Sequence, residues 1–453
     1  MAAERPADRI PVLEPGQTYA SVTDHMSALV LRGPTRRGLV ALFLLFTALA
    51  ILFGYAVIAV FARGVGLLGV NIPVAWGWPI VNVVWWIGIG HAGTLISAVL
   101  LLLRQRWRTS INRFAEAMTI FAAGIAALFP FVHLGRPWLF YYLVPYPDTM
   151  GLWPQWRSAL VWDFFAIATY ILVSILFWYQ GLVPDLATLR DRAVSPLRQR
   201  VYGFLALGWR GSARHWEHYE TNYLLLAVLA TPLVVSVHSV ISLDFAATIV
   251  PGYHSTIFPP YFVAGALLSG FCMVVTLAVP LRGLFGLEDF ITLRHFDRMA
   301  KLMLASGFFV IYSYAVEFFF AWYSGDEFHR YVQINRLFGP YAPAFWAMLT
   351  GNVLVLQALW WRRVRRSLPL LFTVAVIINV AMWLERYVIV ITSTHRDFLP
   401  SMWDSASATG WDAALLIGSL GLFCFLMALF IRFLPLISIY EMRELVRERE
   451  AEP

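Results

Sequence analysis

Long apolar stretches alternate with short polar segments along most of the chain. A bilayer core about 30 Å thick is crossed by roughly 20 apolar residues in a helix. Ten stretches reach that length, and the last is longer than one crossing requires. They lie at Gly38–Ala62, Pro79–Leu103, Asn112–Leu134, Arg157–Leu182, Tyr219–Phe245, Phe258–Leu284, Met299–Tyr323, Leu337–Trp361, Leu368–Thr394 and Trp411–Tyr440. The pattern predicts an all-α integral membrane protein with about ten transmembrane helices.

Composition supports the membrane class and limits the cofactors. Hydrophobic residues make up 60% of the chain and charged residues 13%, whereas soluble domains carry about 25% charged residues. The first 37 residues are more polar and lack the early apolar core of a signal peptide. The two cysteines, Cys272 and Cys424, fall in apolar stretches, and the sequence contains no CxxCH haem attachment or iron–sulfur cysteine set. We therefore expect no metal, haem or iron–sulfur cluster in this chain.

Basic residues are distributed unevenly between the two ends of the predicted helices. Of 34 Lys and Arg residues, 27 fall on the side of the N-terminal tail, six on the other side and one, Arg386, inside the ninth helix. Because short cytoplasmic loops are enriched in Lys and Arg, both termini are predicted to be cytoplasmic, in a multi-pass protein of the bacterial cytoplasmic (inner) membrane. The net charge of +7 then reflects the membrane topology. The sequence has no pattern of basic and aromatic residues that would predict a nucleic-acid-binding groove.

An internal repeat spans four helices. The segment AGTLISA at Ala92–Ala98 matches AGALLSG at Ala264–Gly270, and RFAEAMTIF from Arg113 parallels RMAKLMLAS from Arg298. Because the repeat contains an even number of helices, both copies cross the membrane in the same orientation. This predicts two four-helix bundles related by an axis along the membrane normal. The predicted units are a cytoplasmic tail (1–37), the first helix with its outer loop (38–78), two bundles of helices two to five (79–245) and six to nine (246–394), and the tenth helix with a cytoplasmic tail (395–453).

The two copies are not chemically equivalent. In the second copy Val263 replaces His91, and Lys301 replaces Glu116. Ionisable groups inside a membrane usually mark a function. The first bundle is therefore predicted to be the functional half.

Three ionisable residues are predicted at one depth near the outer ends of consecutive helices. His133 lies at the end of the third helix, Asp163 about two turns inside the fourth, and Asp244 at the outer end of the fifth. A carboxylate in hydrocarbon costs roughly 2.5–3.5 kcal/mol, so two at one level favour a shared site. A structural alternative exists for the turn HLGRP, in which Arg136 reaches the headgroups and His133 only caps its helix.

Further ionisable residues lie at middle and inner depths. Jointly they resemble a proton relay, although each also has a structural interpretation. Glu385 and Arg386 can form a salt bridge, His238 can be a core histidine, and Glu116 can pair with Arg113 at the interface. The relay candidates are His91, Glu116, His238, Glu317, Glu385 and Arg386.

Two segments carry a resemblance to a known family. The turn HLGRP at His133–Pro137, together with the ten spans and the two bundles, is similar to the NrfD-like polysulfide-reductase membrane-subunit family. The run WWIGIGHAGTLISAVLLLLRQRWRTSINRFAEAMTIF at Trp85–Phe121 more closely resembles the quinol-oxidising membrane protein of bacterial alternative complex III. The similarity extends over most of the chain, from the first helix to the tenth.

The resemblance implies a membrane subunit of a respiratory or photosynthetic electron-transfer complex that oxidises quinol near the periplasmic face, with proton translocation as a further expectation. Its implied partners are an iron–sulfur subunit on the periplasmic face, multihaem cytochrome c subunits, a paralogous ten-helix membrane subunit and small membrane subunits. The family's quinol site uses a histidine and two carboxylates, which map to His133, Asp163 and Asp244. Because the paralogous subunit lacks a full site, retention of all three residues favours the quinol-oxidising member.

Quinol oxidation also suits the chemistry of these residues. The reaction releases two electrons and two protons. A histidine, with an ordinary pKa near 6.5, is suited to accept the first proton, and an aspartate the second. The substrate would be menaquinol or ubiquinol, and a chain without its own redox centre must pass the electrons to a partner docked on its outer loops. Further quinol-pocket candidates are Arg136, Trp138, His254 and Arg396.

Two other functions remain open from the residues alone. A secondary transporter would also have repeats and buried charges, but Gly or Pro breaks in corresponding helices of both halves are not evident. The other alternative is a haem-b or quinone-reducing anchor subunit of another oxidoreductase. A haem-b anchor requires histidines on facing helices at matched depth, and His91 with His238 is the only plausible pair.

Overall fold

The protein was analysed as a computed structural model, which describes residues 11–33, 37–143 and 156–451. These residues form helices and no strand. The helices are α1 (Tyr19–Leu31), α2 (Arg37–Arg63), α3 (Gly77–Leu102), α4 (Asn112–His133), α5 (Ala159–Arg192), α6 (Pro196–Leu205), α7 (Ala213–Ala246), α8 (Phe258–Leu284), α9 (Leu293–Tyr323), α10 (Glu327–Phe338), α11 (Ala342–Trp360), α12 (Leu368–Thr394), α13 (Gly410–Phe433) and α14 (Ile439–Ala451).

Ten of these helices are long and apolar enough to cross a membrane: α2 to α5, α7 to α9 and α11 to α13. The prediction of an all-α chain with ten transmembrane helices is therefore confirmed for the described residues. The remaining helices, α1, α6, α10 and α14, lie between or beyond the spans and were not predicted from the apolar pattern.

Prolines correct two predicted boundaries. The eighth span does not begin at Leu337, because that residue belongs to α10, which ends at Phe338 before the chain turns at Gly339–Pro340. The tenth span does not continue to Tyr440. It ends at Phe433, and Leu434 is extended because the following proline disfavours the helical conformation.

The fourth and fifth spans are longer than predicted. Each contains 34 residues, which corresponds to about 51 Å of helix, well beyond a hydrocarbon core of about 30 Å. The prediction followed apolar residues, whereas the helices continue through polar residues until a residue with extended backbone, such as Ala193 after α5, ends them.

Two rings of four helices surround the candidate residues. In the first ring, α3 and α5 each pack against α4 and α7; in the second, α8 and α11 each pack against α9 and α12. The rings meet where α8 packs on α3 and α7, while α2 and α13 pack together beside α4. These contacts are those that the two predicted bundles require, although the division of the chain into repeated units stays a prediction.

Glycines of the repeated segment allow close helix contacts. A Cβ atom on Gly93 would lie 2.1 Å from the carbonyl oxygen of Ala115, and one on Gly270 would lie 2.6 Å from the Cβ of Ala92. Small residues let membrane helices approach closely. The repeat therefore serves the α3–α4 contact in one copy and the α3–α8 contact in the other.

The ends of the helices define two faces. The face that carries α1, α6 and α14, where α1 packs on α14, is called the α14 face. The opposite face, where α4 ends at His133, is called the His133 face. Which of them is cytoplasmic stays a prediction from the distribution of basic residues.

Candidate functional site

Two carboxyl groups meet where α5 begins and α7 ends, close to the His133 face. Asp163 lies in the second turn of α5, and Asp244 lies in the last turn of α7. Because consecutive spans run antiparallel and α5 packs along α7, the two positions lie at one level. Their side chains are close enough to influence each other electrostatically, and Oδ1 of each is buried without a partner. The structure thus brings together two of the three residues predicted for the quinol site.

His133 ends a separate turn at the end of α4. The main part of α4 ends at Leu128, and the turn that follows begins at Pro130. The chain then reverses at Gly135, whose φ of 77° is one that glycine adopts readily. His133 is half-buried, and among the described residues no polar contact joins its ring to either aspartate. Its membership of the same site stays a prediction.

Aromatic side chains pack around Phe245, the residue that follows Asp244. Phe245 packs edge-on against Tyr253 and Trp76, with ring centroids 5.0 and 5.7 Å apart, and Trp76 stacks on Tyr253 at 6.4 Å. Phe262 lies 5.6 Å from Phe245. Phe245, Tyr253 and Phe262 are buried, so this cluster forms apolar packing beside the carboxyl pair.

Three other pocket candidates are exposed on the His133 face. Arg136 and Trp138 lie in the loop after His133, and His254 follows α7. No polar contact between these side chains and the carboxyl pair is found in the described parts of the chain. They remain available to a ligand or to a partner protein.

The fourth pocket candidate, Arg396, belongs to a different cluster. Its guanidinium donates to the Tyr331 hydroxyl at 3.2 Å and to Asn335 Oδ1 at 3.4 Å, and it lies 5.5 Å from the ring centre of Trp403. These partners lie on α10 and in the loop before α13. None of them belongs to α5 or α7, so the structure does not place Arg396 with the carboxyl pair.

Two histidines are in direct contact in the middle of the first ring. The fully buried rings of His91 on α3 and His238 on α7 lie edge to face, with centroids 4.5 Å apart. His91 Nδ1 hydrogen-bonds with the carbonyl oxygen of Ile87 at 2.8 Å, while its Nε2 and both ring nitrogens of His238 lack a partner in the described structure. Since six residues of helix separate His238 from Asp244, the histidines lie about 9 Å deeper than the carboxyl pair.

A haem iron does not fit between these histidines. Two axial imidazoles bind through metal–nitrogen bonds of about 2 Å on opposite sides of the porphyrin, which keeps their rings apart by the thickness of the macrocycle. His91 and His238 are instead in van der Waals contact. Their arrangement therefore gives no support to a haem-b anchor.

Hydroxyl groups continue from the histidines toward the α14 face. Tyr170 stacks on His91 with centroids 5.6 Å apart and shares a hydrogen bond with the Thr94 hydroxyl at 2.8 Å. The Thr119 hydroxyl donates to the carbonyl oxygen of Gly90 at 2.6 Å. A small cavity of about 10 Å³ follows, enough for roughly one water molecule. It is lined by Thr94, Glu116, Thr119, Ser174, Phe177 and Ala230.

Glu116 and Arg113 lie in a buried cluster near the α14 face. The guanidinium of Arg113 lies 3.3 Å from Glu116 and 3.5 Å from Asp185, and it donates to the carbonyl oxygen of Gly181 at 2.7 Å. Tyr223 donates to Glu116 at 3.3 Å. The pairing of Glu116 with Arg113 that was expected as an alternative is therefore present. The pair was expected at the membrane interface, but it is buried.

The helix α14 closes this cluster. Glu441 accepts a hydrogen bond from Asn112 at 2.8 Å and lies 3.4 Å from Arg108, with both ionic side chains buried. The backbone N–H of Tyr440 donates to Asp185 Oδ1 at 3.0 Å. A segment expected to be a simple tail thus supplies a carboxylate to the first ring.

Several residues of this line were not predicted from the sequence, among them Tyr170, Asp185 and Glu441. The first two carry a signal, because they share one face of α5 with Asp163 through spacings of three, four and seven residues. That face consists of Asp163, Tyr170, Ser174, Phe177, Gly181 and Asp185. Glu441 carries no such signal, since it lies on a polar helix beyond the last span.

The second ring contains its own buried charges. Arg386 pairs with Glu385 at 2.5 Å, and Tyr314 donates to Glu385. Glu317 pairs with Arg336 at 3.1 Å. The salt bridge expected as an alternative for Glu385 and Arg386 is therefore formed, and a role for these three candidates in a relay stays a prediction.

Each ring has a π-helical turn beside its buried polar residues. These turns are Leu95–Val99 in α3 and Thr350–Leu354 in α11, where Asn352 donates to Tyr314 at 2.9 Å. Such turns are rare and frequently mark functional sites. They occupy the second and eighth spans, which do not correspond in the repeat. They are therefore not the paired interruption typical of transporters.

Comparison with known proteins gives one family and two relatives. The family described as "Polysulphide reductase, NrfD" matches residues 66–396. A Halobacterium salinarum protein, named provisionally as a membrane subunit of a dimethyl sulfoxide reductase, is 27% identical over 206 residues, which cover 45% of this chain and 43% of that protein. A selenate reductase subunit of Mesobacillus selenatarsenatis is 22% identical over 419 residues, which cover 87% of this chain and 94% of that protein.

The first relative is therefore matched over less than half of its own length, and the second over nearly all of it. The family match is the broader result, since it extends from the loop before α3 to the end of α12 and includes both rings of helices. On these grounds the chain belongs to the polysulphide reductase NrfD family.

Proposed function

We propose that this chain is the quinone-reactive membrane subunit of an oxidoreductase complex and that quinol is oxidised beside Asp163 and Asp244. The observation that supports this proposal is the interacting carboxyl pair, which lies near the end of two membrane-crossing helices. The aromatic rings packed around Phe245 make the neighbourhood of the pair apolar, as a site for a hydrophobic substrate requires. Membership of the NrfD family supports the same class of function.

The carboxyl pair suits the proton chemistry of quinol. Two carboxyl groups at close range resist being ionised together, so one of them holds a proton while the other is free to accept one. Oxidation of quinol to quinone releases two protons and two electrons, so one proton passes to the free carboxylate. The imidazole of His133, which lies at the same end of the first ring, accepts the second.

The names of the relatives favour electron flow from quinol to a partner protein. Both are named as subunits of reductases, and a reductase needs a source of electrons, which quinol supplies from the membrane. The electrons leave this chain for an iron–sulfur protein docked on the His133 face. Kinship with the membrane protein of alternative complex III, with multihaem cytochromes and a second ten-helix protein as partners, is proposed on the Trp85–Phe121 segment alone.

The first ring also provides a path for protons. Polar groups follow one another from the carboxyl pair through His238, His91 and Tyr170 to the cavity beside Glu116. Beyond Glu116, the cluster with Asp185 and Glu441 reaches the α14 face. Water between the carboxyl pair and the histidines would complete this path, because about 9 Å separates them along α7.

Substitution of the site residues tests the quinol proposal. In the native complex, Asp163→Asn, Asp244→Asn and His133→Ala are each expected to lower quinol-dependent electron transfer at least about 100-fold, the usual loss when a proton acceptor is removed. Asp404→Asn, which changes an exposed carboxylate in the loop before α13, should retain full activity. Retention of copurified quinone is the second measurement. Near-normal turnover and quinone content in all three variants would refute the assignment.

Proton uptake from the α14 face tests the path separately. In vesicles containing the complex, Glu116→Gln, His91→Leu and Tyr170→Phe should abolish proton uptake coupled to turnover while quinol oxidation in detergent continues. The matched control is Lys301→Gln, because Lys301 is the repeat partner of Glu116 and its half-exposed side chain pairs with Asp297 at 2.6 Å. Unchanged uptake in the three variants, or no uptake in the native complex, would show that these residues are structural.

A further inference from the structure

The short helix α6 carries an exposed apolar stripe at the α14 face. Leu197, Val201 and Phe204 lie on one side of the helix, because spacings of three, four and seven residues bring side chains onto one face. Phe204 is 80% exposed and Leu197 is 70% exposed. Leu207, shortly after the helix ends, is 69% exposed. Single exposed apolar residues are common, but a contiguous row of them indicates contact with another surface.

The opposite side of α6 is packed against the protein at the end of a membrane-crossing helix. Tyr202 and Ala206 are buried. The Tyr202 hydroxyl donates to the carbonyl oxygen of Phe433 at 3.0 Å, and Phe433 is the last residue of the span α13. The helix α6 is therefore fixed close to the level at which a span leaves the hydrocarbon.

A second contact joins α6 to the exposed apolar surface of α5. That span leaves Leu172, Ile175 and Leu176 exposed, which suits contact with lipid tails, since these are as apolar as leucine. One turn further along α5, the Tyr179 hydroxyl donates to the carbonyl oxygen of Leu205 at 2.6 Å. The C-terminal end of α6 thus lies where the lipid-facing surface of α5 ends, and the apolar stripe continues that surface.

The polar residues of α6 lie beside the stripe and not within it. At about 100° of rotation per residue, Leu197, Val201 and Phe204 fall within roughly 60° of one another. Arg200 and Gln199, both exposed, point to the neighbouring side. An apolar stripe with a basic residue beside it is typical of a helix that lies in the membrane interface, because the long basic side chain reaches the headgroups while the apolar residues contact the acyl chains.

We propose that α6 is an interfacial anchor whose apolar stripe inserts into the lipid leaflet at the α14 face. Interfacial helices bury their apolar side about 5–10 Å into the boundary between headgroups and acyl chains. The contacts with the end of α13 and with Tyr179 of α5 fix α6 at this boundary. Since α6 is packed on both spans, its insertion holds their ends at a constant depth in the membrane.

Spin labels on the full-length chain in phosphatidylcholine vesicles test the anchor. With Cys272 and Cys424 replaced by serine, a single cysteine is introduced by Phe204→Cys or by Val201→Cys and is labelled with a nitroxide. Collisions of the label with oxygen, which concentrates among acyl chains, are compared with collisions with a water-soluble nickel chelate present on both sides of the bilayer. We expect oxygen to collide more often than the chelate at both positions.

Two further positions calibrate the measurement. Leu176→Cys places a label on the exposed apolar surface of α5, where oxygen should dominate in the same way. Gln199→Cys places a label on the polar side of α6, where the nickel chelate should dominate. The side chains replaced in α6 are exposed, so each variant is expected to keep the unfolding midpoint of the chain without cysteine.

Two outcomes would overturn the proposal. In the first, the nickel chelate dominates at Phe204 and Val201 as it does at Gln199, which would show that the stripe faces water. In the second, both labels are shielded from oxygen and from the chelate, which would show that a protein surface, such as a second copy of this chain, covers the stripe in place of lipid.

Discussion

Glu441 illustrates how a single residue completes a buried cluster from far away in the chain. Its carboxylate contacts Arg108, which lies before α4, and Asn112, which is the first residue of α4. Buried ions are tolerated only when they are paired, because the loss of one partner leaves the other without solvent or counter-charge. Glu441 is therefore the residue on α14 whose substitution should be felt most strongly.

Removal of this carboxylate should destabilise the protein. Glu441→Ala is expected to lower the free energy of unfolding by about 3–5 kcal/mol, since Arg108 stays buried without its partner. Glu448→Ala provides the control on the same helix, because its ion pair with Arg106 is about half exposed and should contribute less than about 1 kcal/mol. Thermal unfolding in detergent measures both. Equal effects of the two variants would mean that burial does not decide the strength of these pairs.

Glu444 on α14 should make the docking of that helix dependent on pH. Burial raises the pKa of its carboxyl group, and the neighbouring carboxylates of Glu441 and Glu448 raise it further. Because the folded state holds this proton more tightly than the unfolded chain, stability falls as pH rises from the ordinary glutamate pKa of about 4.3. At neutral pH, Glu444→Gln should therefore stabilise α14 by less than about 1 kcal/mol.

Hydrogen exchange of the α14 amides measures this effect. The gain in protection for Glu444→Gln should be present at neutral pH and disappear below the ordinary glutamate pKa, where the native carboxyl group is also neutral. Glu450→Gln, at an exposed position of the same helix, should not alter protection. A gain that persists at low pH would point to packing of the amide instead of charge.

The residue pattern predicted the depth of the site residues in the membrane better than the contacts between their side chains. The apolar pattern placed Asp163 and Asp244 at one level because both lie at a fixed distance from a helix end, and the structure joins them. His133 was predicted at the same depth, but a predicted depth does not determine which way a side chain points. The contact between His91 and His238 depends on the rotation of α3 and α7 about their axes, which only three-dimensional packing determines.

At the scale of the element, the helix ends that were predicted wrongly lie next to proline and glycine. The apolar run from Trp411 to Tyr440 continues through Pro435, and periodicity alone cannot tell a helix that ends before proline from one that bends. The helix α10 was missed because its polar residues do not resemble a membrane span. Two close contacts between helices lie at glycines of the repeated segment, Gly93 and Gly270.

The contact of α3 with α4 depends on the absence of a side chain at Gly93. Gly93→Ala is expected to cost about 1–3 kcal/mol, because the new Cβ would lie 2.1 Å from both the Ala115 carbonyl oxygen and the Thr119 hydroxyl. The control is Gly124→Ala on α4, where no other atom lies within 4 Å and alanine should stabilise the helix by about 0.5–1 kcal/mol. Chemical or thermal unfolding distinguishes the two. A stable Gly93→Ala variant would show that the helices can separate without penalty.

At the scale of the whole molecule, hydropathy predicted the number of spans. The family match agrees with the resemblance to NrfD-like membrane subunits, while the closer similarity to alternative complex III stays a proposal. Neither the sequence pattern nor the family match predicted that α14 closes the first ring. That contact joins Glu441 to Asn112 across 329 positions of the chain, and no local pattern encodes it. The orientation of the molecule rests on its basic residues and can be tested directly.

Cysteine labelling measures that orientation. With Cys272 and Cys424 replaced by serine, a cysteine between Pro145 and Pro154, a segment outside the described residues, should react with a membrane-impermeant maleimide in intact cells from the periplasmic side. A cysteine at Gln199 on α6, exposed on the α14 face, should react only after lysis. The opposite pattern would reverse the topology and place the carboxyl pair on the cytoplasmic side.

The position of α14 in the chain also sets the order of events during biogenesis. The ribosome makes this helix after all ten spans have been synthesised, so the membrane part can be inserted while Arg108, Asn112 and Asp185 still lack their partners on α14. Until α14 folds back, the polar interior of the first ring is open to the aqueous phase on that side. Sealing of the membrane barrier is therefore a late, post-insertion step, and nascent chains that stop after α13 should be inserted but permeable to protons.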